Sequence, residues 1–178
     1  MPSMLRSAVF RLEQMETPVC VVMNRIKRRL WLQRFFSMIS RIGNGGIWVV
    51  VAMFLPVVLG HAAWGVIGQM AVAAVIGIVA YRAIKQRTSR LRPFMIHRDV
   101  DQLIPPLDHY SFPSGHTLHA VSFTLILVQA YPLLAWLLVP FSILTALSRM
   151  TLGLHFPSDV LSGALLGGLI GQSILLIV

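Results

Sequence analysis

The sequence predicts an all-α integral membrane bundle of about five spanning helices, preceded by a basic amphipathic helix in the membrane interface. Three observations lead there. Of 178 residues, 56% are apolar and only 12% charged, against roughly 25% charged in a soluble domain. Mean hydropathy is +0.76, so bilayer is the natural solvent. The apolar residues also fall into long continuous runs, and only helices and closed barrels satisfy their backbone in lipid.

Residues 1–43 differ from everything after them. They hold eight of the 15 Lys and Arg: Arg6, Arg11, Arg25, Lys27, Arg28, Arg29, Arg34 and Arg41. Across residues 19–39, Val22, Ile26, Leu30, Phe35 and Met38 recur at helical spacing between these cations. No uninterrupted apolar run here approaches the ~20 residues that span hydrocarbon. A basic amphipathic helix lying in the interface is therefore expected, with a flexible basic tail as the alternative. The basic cluster follows the apolar stretch, which is the reverse of a cleaved signal peptide. The lone Cys20 excludes an internal disulfide. A net charge of +9 and a pI near 11.3 could suit nucleic acid. In so apolar a chain, anionic lipid headgroups or an anionic substrate are the expected partners instead.

Residues 44–178 read as one membrane domain. Its apolar runs are residues 44–63, 64–82, 116–131, 132–149 and 158–178. The third and fourth form a hairpin broken at Tyr131-Pro132, where proline suits a helix start. Residues 94–112 are polar and contain proline together with Asp99, Asp101 and Asp108, the pattern of a long surface loop. In the last run Gly163, Gly167 and Gly171 share one helix face. Such a stripe admits a close neighbour, expected within the same bundle rather than in a second subunit.

Three polar clusters stand out against this apolar background. They are Lys85 to Pro93, Pro113-Ser114-Gly115-His116, and Ser148-Arg149 through His155 to Asp159. With five spans, each cluster returns to the same membrane face; a helix count wrong by one would scatter them. Their chemistry fits a phosphate. Lys85, Arg92 and Arg149 supply fixed positive charge, and Arg can fork onto two oxygens. Ser114 and Gly115 before an apolar helix place a hydroxyl and backbone N–H groups at a helix N-terminus, an anion site. His155 and Asp159 lie four apart, so the carboxylate can orient an imidazole nucleophile. His116 remains as general acid.

Blander readings stand beside these. Cations at helix ends ordinarily anchor in the interface, the first reading for Arg82, Arg87, Arg90 and Arg98 and an even alternative for Lys85 and Arg92. His61 and His119 suit packing, and His97 and His109 suit the loop. A metal site is disfavoured, because the cluster is cation-rich, lacks Cys and has one carboxylate at its core. Asp159 is the strongest single signal, since a carboxylate opening an apolar helix is costly unless paired.

Lys85-x6-Arg92-Pro93, Pro113-Ser114-Gly115-His116 and Ser148-Arg149-x5-His155-x3-Asp159 are similar to the three-part signature of the type 2 phosphatidic acid phosphatase superfamily. The likeness runs from about residue 40 to the end, with no departure at the signature positions. It implies a bacterial inner-membrane bundle of the shorter five-span kind. It implies a phosphatase that needs neither metal nor cofactor, acts on a phosphorylated lipid and works through a phosphohistidine. On this resemblance His155 is the nucleophile, Asp159 its charge partner and His116 the acid for the leaving group. Lys85, Arg92, Ser114, Gly115, His116 and Arg149 form the phosphate-binding set. Soluble vanadium haloperoxidases share the signature, but the composition here is a membrane protein's. A lipid phosphotransferase using the same phosphohistidine, and a non-enzymatic lipid transporter or scaffold, are the alternatives.

Charge placement cuts across one family expectation. Twelve of the 15 Lys and Arg remain once Lys85, Arg92 and Arg149 are set aside. All lie on the face of the three clusters, and the opposite turns at His61 and Pro132 carry none. The positive-inside rule puts that face in the cytoplasm, whereas many bacterial relatives of the family face the periplasm.

Overall fold

The computed structural model describes residues 3–177, with side chains from Arg11 onward. Met1, Pro2 and Val178, at the ends of the two expected segments, lie outside the described residues, as does the side chain of Arg6. Eight helices follow in order among the described residues: α1 (Ser3–Asn24), α2 (Leu30–Ile42), α3 (Gly46–Leu59), α4 (Ala63–Thr88), α5 (Pro93–Ile96), α6 (Gly115–Ala130), α7 (Ala135–Thr151) and α8 (Pro157–Ile177). No strand occurs among them.

The N-terminal segment is two helices, where the spacing predicts one continuous helix. A 3₁₀ turn at Arg25–Arg28 and extended backbone at Arg29 (φ −127°, ψ 98°) separate α1 from α2. Asn24 explains the break. Its side-chain amide donates to the carbonyls of Asp101 (3.0 Å) and Thr151 (3.1 Å) and accepts from the Asp101 N–H (2.8 Å). The chain is tied to two distant segments at that point, and nothing in its local pattern announces this.

The faces of α1 are also inverted relative to a soluble helix. Glu16, Cys20 and Asn24 are buried and Glu13 and Thr17 half-buried, while Met15, Val19 and Val22 are exposed. At helical spacing the inward stripe is mostly polar and the outward one apolar. That suits an element whose outer surface meets lipid.

Among the described residues, three runs are long and apolar enough to cross a membrane: Gly46–Ile96, Pro132–Thr151 and Pro157–Ile177. The first folds back on itself at the 3₁₀ turn Gly60–Ala62, where Gly60 takes φ +60°. α4 continues beyond the predicted end at residue 82, so Lys85 sits on the helix; Ser89, in the left-handed region at φ 47°, ends it.

α6 is the central helix, flanked by α4, α7 and α8. The main apolar core lies around it, with Trp48 set edge-on to Phe123 (5.2 Å) and Phe141 (5.9 Å) and packed with Met70, Ile126, Leu127 and Leu138. The outward surfaces of the long helices are apolar, including Val57, Leu133, Leu165 and Leu169. Trp64 and Trp136, both exposed, follow the two turns opposite the polar clusters, where aromatic side chains suit the membrane–water boundary.

The predicted surface loop is better described as a strap. Val100 and Ile104 are buried against Cys20, Phe156, Leu152 and Leu154, so residues 97–113 lie across the α7–α8 connection.

Candidate active site

All three polar clusters meet at one end of the bundle. The α7–α8 connection, residues 152–156, is buried throughout. Gly153 turns it at φ +77°, and a Cβ there would stand 2.4 Å from the Asp101 carbonyl. A second constraint comes from α7, whose Arg149 carbonyl accepts the N–H groups of both Leu154 and His155 at 3.1 Å. The His155 ring therefore has its place set by backbone on both sides.

Arg92 fixes the state of that ring. Its Nη1 lies 3.2 Å from His155 Nε2 and donates to the Leu154 carbonyl at 2.8 Å. A guanidinium has no acceptor, so His155 Nε2 must accept and the ring proton sits on Nδ1. Nδ1 faces Asp159 Oδ2 at 3.5 Å, too long for a well-formed hydrogen bond. The sequence predicts Asp159 chiefly as partner of His155, yet its shorter bonds go to Arg90 Nη1 (2.7 Å, Oδ1) and the Phe156 N–H (2.8 Å, Oδ2). Burial first, then the charges of Arg92, Arg149 and Lys85, holds the His155 pKa well below the usual histidine value. The imidazole is thus neutral at neutral pH, with its Nε2 lone pair on the side of the cations.

The cations themselves are buried. Lys85, Arg92 and Arg149 are 6%, 1% and 2% exposed. Lys85 Nζ reaches both oxygens of Asp108 (2.7 and 2.8 Å) and the Tyr110 carbonyl (3.0 Å). Arg92 Nη2 donates to Asp108 Oδ1 at 2.7 Å. Arg149 Nη1 donates to Ser40 Oγ, and among the described residues nothing accepts from its Nε. A buried guanidinium nitrogen without a partner is costly, and an incoming anion would satisfy it.

Ser114 caps α6. Its hydroxyl pairs with Thr117 Oγ1 at 3.0 Å and its N–H donates to the Asp159 carbonyl at 2.9 Å. Gly115 and His116 then open the helix on the cavity wall, where first-turn N–H groups have no intrahelical acceptor. The carbonyl Oδ1 of Asn44 pairs with His116 Nε2, so that nitrogen carries the proton.

These groups form the polar end of a cavity of about 450 Å³. Its other end runs between α3 and α4 over Trp48, Val49, Ala52, Ile67, Met70 and Ala74. Of the eight residues singled out from the sequence, Lys85, Arg92, Gly115, His116, Arg149 and His155 line this cavity, and Ser114 and Asp159 are buried behind it. His119 lines the cavity while stacked on Phe123 (5.3 Å), the packing reading. His97 pairs with Thr17 Oγ1 at 2.7 Å and His109 lies beside Tyr110, and neither lines the cavity.

One expectation fails. Arg90 is no interfacial anchor: it is 6% exposed and bound to Asp159, Glu16 and Glu13. Arg82, Arg87 and Arg98 are exposed as anchors should be. Sequence reasoning also missed Asp108, Asn44, Ser40 and Glu16. Two acids in an otherwise cationic N-terminal segment were the available signal for Glu13 and Glu16; the others had none.

An all-helical bundle with apolar outward faces and a cluster of buried cations beside two histidines at one end defines a helical membrane protein. The chain belongs to the PAP2 superfamily, whose sequence profile matches residues 48–178. It is 31% identical over 130 residues to an undecaprenyl-diphosphatase of Sulfolobus acidocaldarius, covering 72% of this chain and 62% of that one. It is 39% identical over 80 residues to the undecaprenyl-diphosphatase BcrC of Bacillus subtilis, covering 45% of this chain and 41% of that one. The chain therefore spans less than two thirds of the length of these relatives. Among solved structures, LpxE of Aquifex aeolicus superimposes with a TM-score of 0.79 at 26% identity, over 90% of this chain and 94% of that one. The transmembrane PAP2-type phosphatidylglycerolphosphate phosphatase of Bacillus subtilis shares the fold, with a TM-score of 0.73 at 23% identity, over 94% and 84%.

Proposed function

We propose that this chain is a membrane phosphatase that removes phosphate from a phosphorylated lipid through a phosphohistidine on His155. The observation that carries the reading is the Arg92–His155 contact, which leaves the Nε2 lone pair facing the cation cradle at the end of an apolar cavity. The headgroup phosphate meets Lys85, Arg92, Arg149 and the Ser114–Gly115 turn, while the lipid chain lies in the slot between α3 and α4.

The phosphate draws Arg92 Nη1 off His155 Nε2 and onto its own oxygens, the freed lone pair attacks phosphorus, and the bond to the lipid oxygen breaks. The negative charge of the bound substrate favours the imidazolium form of His116, which passes a proton to that oxygen as it leaves and becomes neutral. Water then gives a proton back to His116 and attacks the phosphorus–nitrogen bond. Inorganic phosphate departs and the His155 lone pair is restored. The cations stabilise charge on the transferring group throughout, the main task in phosphoryl transfer.

Two relatives carry the name undecaprenyl-diphosphatase, and the end of the cavity between α3 and α4 is lined by apolar side chains, so a polyprenyl diphosphate is the first substrate to test. Purified protein in detergent would be offered polyprenyl diphosphate, phosphatidate and phosphatidylglycerophosphate, with inorganic phosphate as the readout. Release from at least one substrate is expected, unchanged by EDTA. Loss of the nucleophile in His155→Ala should lower it by at least ~10³-fold. Full activity in that variant would refute the mechanism. The charge distribution supports a site on the cytoplasmic face of the membrane.

A further inference from the structure

Behind His155, on the side away from the cavity, lies an acidic ring supplied by the N-terminal helix. Arg90 is its hub. Its Nε donates to Glu13 Oε1 (3.3 Å), its Nη2 to Glu16 Oε2 (2.8 Å), and its Nη1 to both Asp159 Oδ1 and Ser158 Oγ (2.7 Å each). The guanidinium also lies over the Phe156 ring, 4.2 Å from its centroid. Glu16 grips the same loop directly: Oε1 accepts the Ser158 N–H at 2.5 Å and Oε2 accepts the Ser158 hydroxyl at 2.9 Å. Phe156, Ser158 and Asp159, the residues just after His155, are thus held by one Arg and by one Glu far away in sequence.

The geometry points to Glu16 as a positioning residue for His155, acting through Arg90 and Ser158; the inference rests on the nucleophile reading above. Stability alone is a weak account of this ring. Three carboxylates surround one guanidinium, Asp159 fully buried and Glu16 and Glu13 10% and 14% exposed at the side chain, and buried ionic clusters are often no more stable than apolar packing of similar volume. The electrostatic consequence is directional. Lys85, Arg92 and Arg149 lie before the imidazole, and the ring of excess negative charge lies behind it. As Nε2 bonds to phosphorus, positive charge develops on the imidazole, and the field from behind stabilises it.

The ring also sets where Asp159 stands. Arg90 takes Oδ1 and the Phe156 N–H takes Oδ2, so the carboxylate cannot turn away from Nδ1. Without Glu16, Ser158 loses both its acceptors on α1 and Arg90 loses its shorter glutamate partner. The 156–159 turn is then free to shift relative to the cradle.

The test uses the purified full chain in detergent, with polyprenyl diphosphate, phosphatidate and phosphatidylglycerophosphate screened and the fastest substrate used. Glu16→Gln keeps the shape and removes the charge. It is expected to lower kcat by ~10- to 100-fold, the cost of a small misplacement of reacting groups. KM and the inhibition constant of inorganic phosphate should stay within about twofold, because the cradle in front of His155 is untouched. Met15→Ala, on the lipid-facing side of α1 and 76% exposed, should leave kcat unchanged. An unchanged kcat in Glu16→Gln would overturn the inference. So would a fall in kcat matched by equal weakening of phosphate binding and a lowered unfolding temperature, the pattern of a general structural loss. His155→Ala run alongside separates the two proposals: activity there sinks the nucleophile reading, whereas a dead His155→Ala beside an unimpaired Glu16→Gln sinks only this one.

Discussion

Asp108 occupies the two donors that a substrate phosphate would need. Its Oδ1 stands 2.7 Å from both Lys85 Nζ and Arg92 Nη2, yet its side chain is 40% exposed. An entering phosphate must share those cations or displace the carboxylate. Asp108→Asn keeps an acceptor oxygen and removes the charge, so inorganic phosphate should bind more tightly, by about tenfold for a partly screened like charge at this range. The inhibition constant of phosphate measures this, and an unchanged or weaker constant would remove Asp108 from competition for the site. Residues of this kind explain what was legible at this scale. Lys85, Arg92, His155 and Asp159 announce themselves as rare polar groups in apolar sequence at helix ends. Asp108 sits among other loop acids, and Arg90 among other helix-end cations. Each differs from its neighbours only through a partner far along the chain: Arg90 meets Asp159 69 positions on, and Glu16 meets Ser158 across 142. No local period encodes such pairings.

The helix pair α6–α8 was legible as an element because its cause is local. Gly163, Gly167 and Gly171 recur every fourth residue, and the structure sets them against Ser114, Leu118 and Ser122 of α6, also four apart. The neighbour is inside the same bundle, as the sequence predicts. A Cβ at Gly167 would stand 2.3 Å from the Leu118 carbonyl, whereas one at Gly168 would meet nothing within 4 Å. Gly167→Ala should therefore push the two helices apart at a cost of ~1–3 kcal/mol, and Gly168→Ala should be close to neutral. Thermal unfolding in detergent distinguishes them, and equal midpoints would contradict the close packing. α6 carries Ser114 and His116, so Gly167→Ala should also lose activity. The break between α1 and α2 was illegible for the opposite reason. Its cause, the ties from Asn24 to Asp101 and Thr151, is tertiary.

For the whole molecule, orientation is the open physical choice, and the sequence and structure sharpen it together. The turns at Gly60–Ala62 and Pro132–Leu134 contain no Lys or Arg, while the opposite face gathers them from α1, α2, the end of α4 and the strap. Arg90 leaves the count of free cations, because Glu13, Glu16 and Asp159 surround it. The asymmetry survives that correction, since Arg25, Arg28, Arg29, Arg34, Arg41, Arg82, Arg87 and Arg98 are all exposed. Short loops and helix ends are where the positive-inside rule acts, so the candidate site is expected to face the cytoplasm. A single engineered cysteine tests this on a silent background. Native Cys20 is fully buried, and its thiol is pushed up to about 12, by burial first and then by Glu16 and Asp159, so it should not react with aqueous maleimide. Asp99→Cys places an accessible thiol on the exposed side of the strap. In intact cells it should resist a membrane-impermeant maleimide and become modified only after permeabilisation. Labelling in intact cells would place the site on the outer face and show that the cations of α1 and α2 serve lipid contact and the site instead of topology.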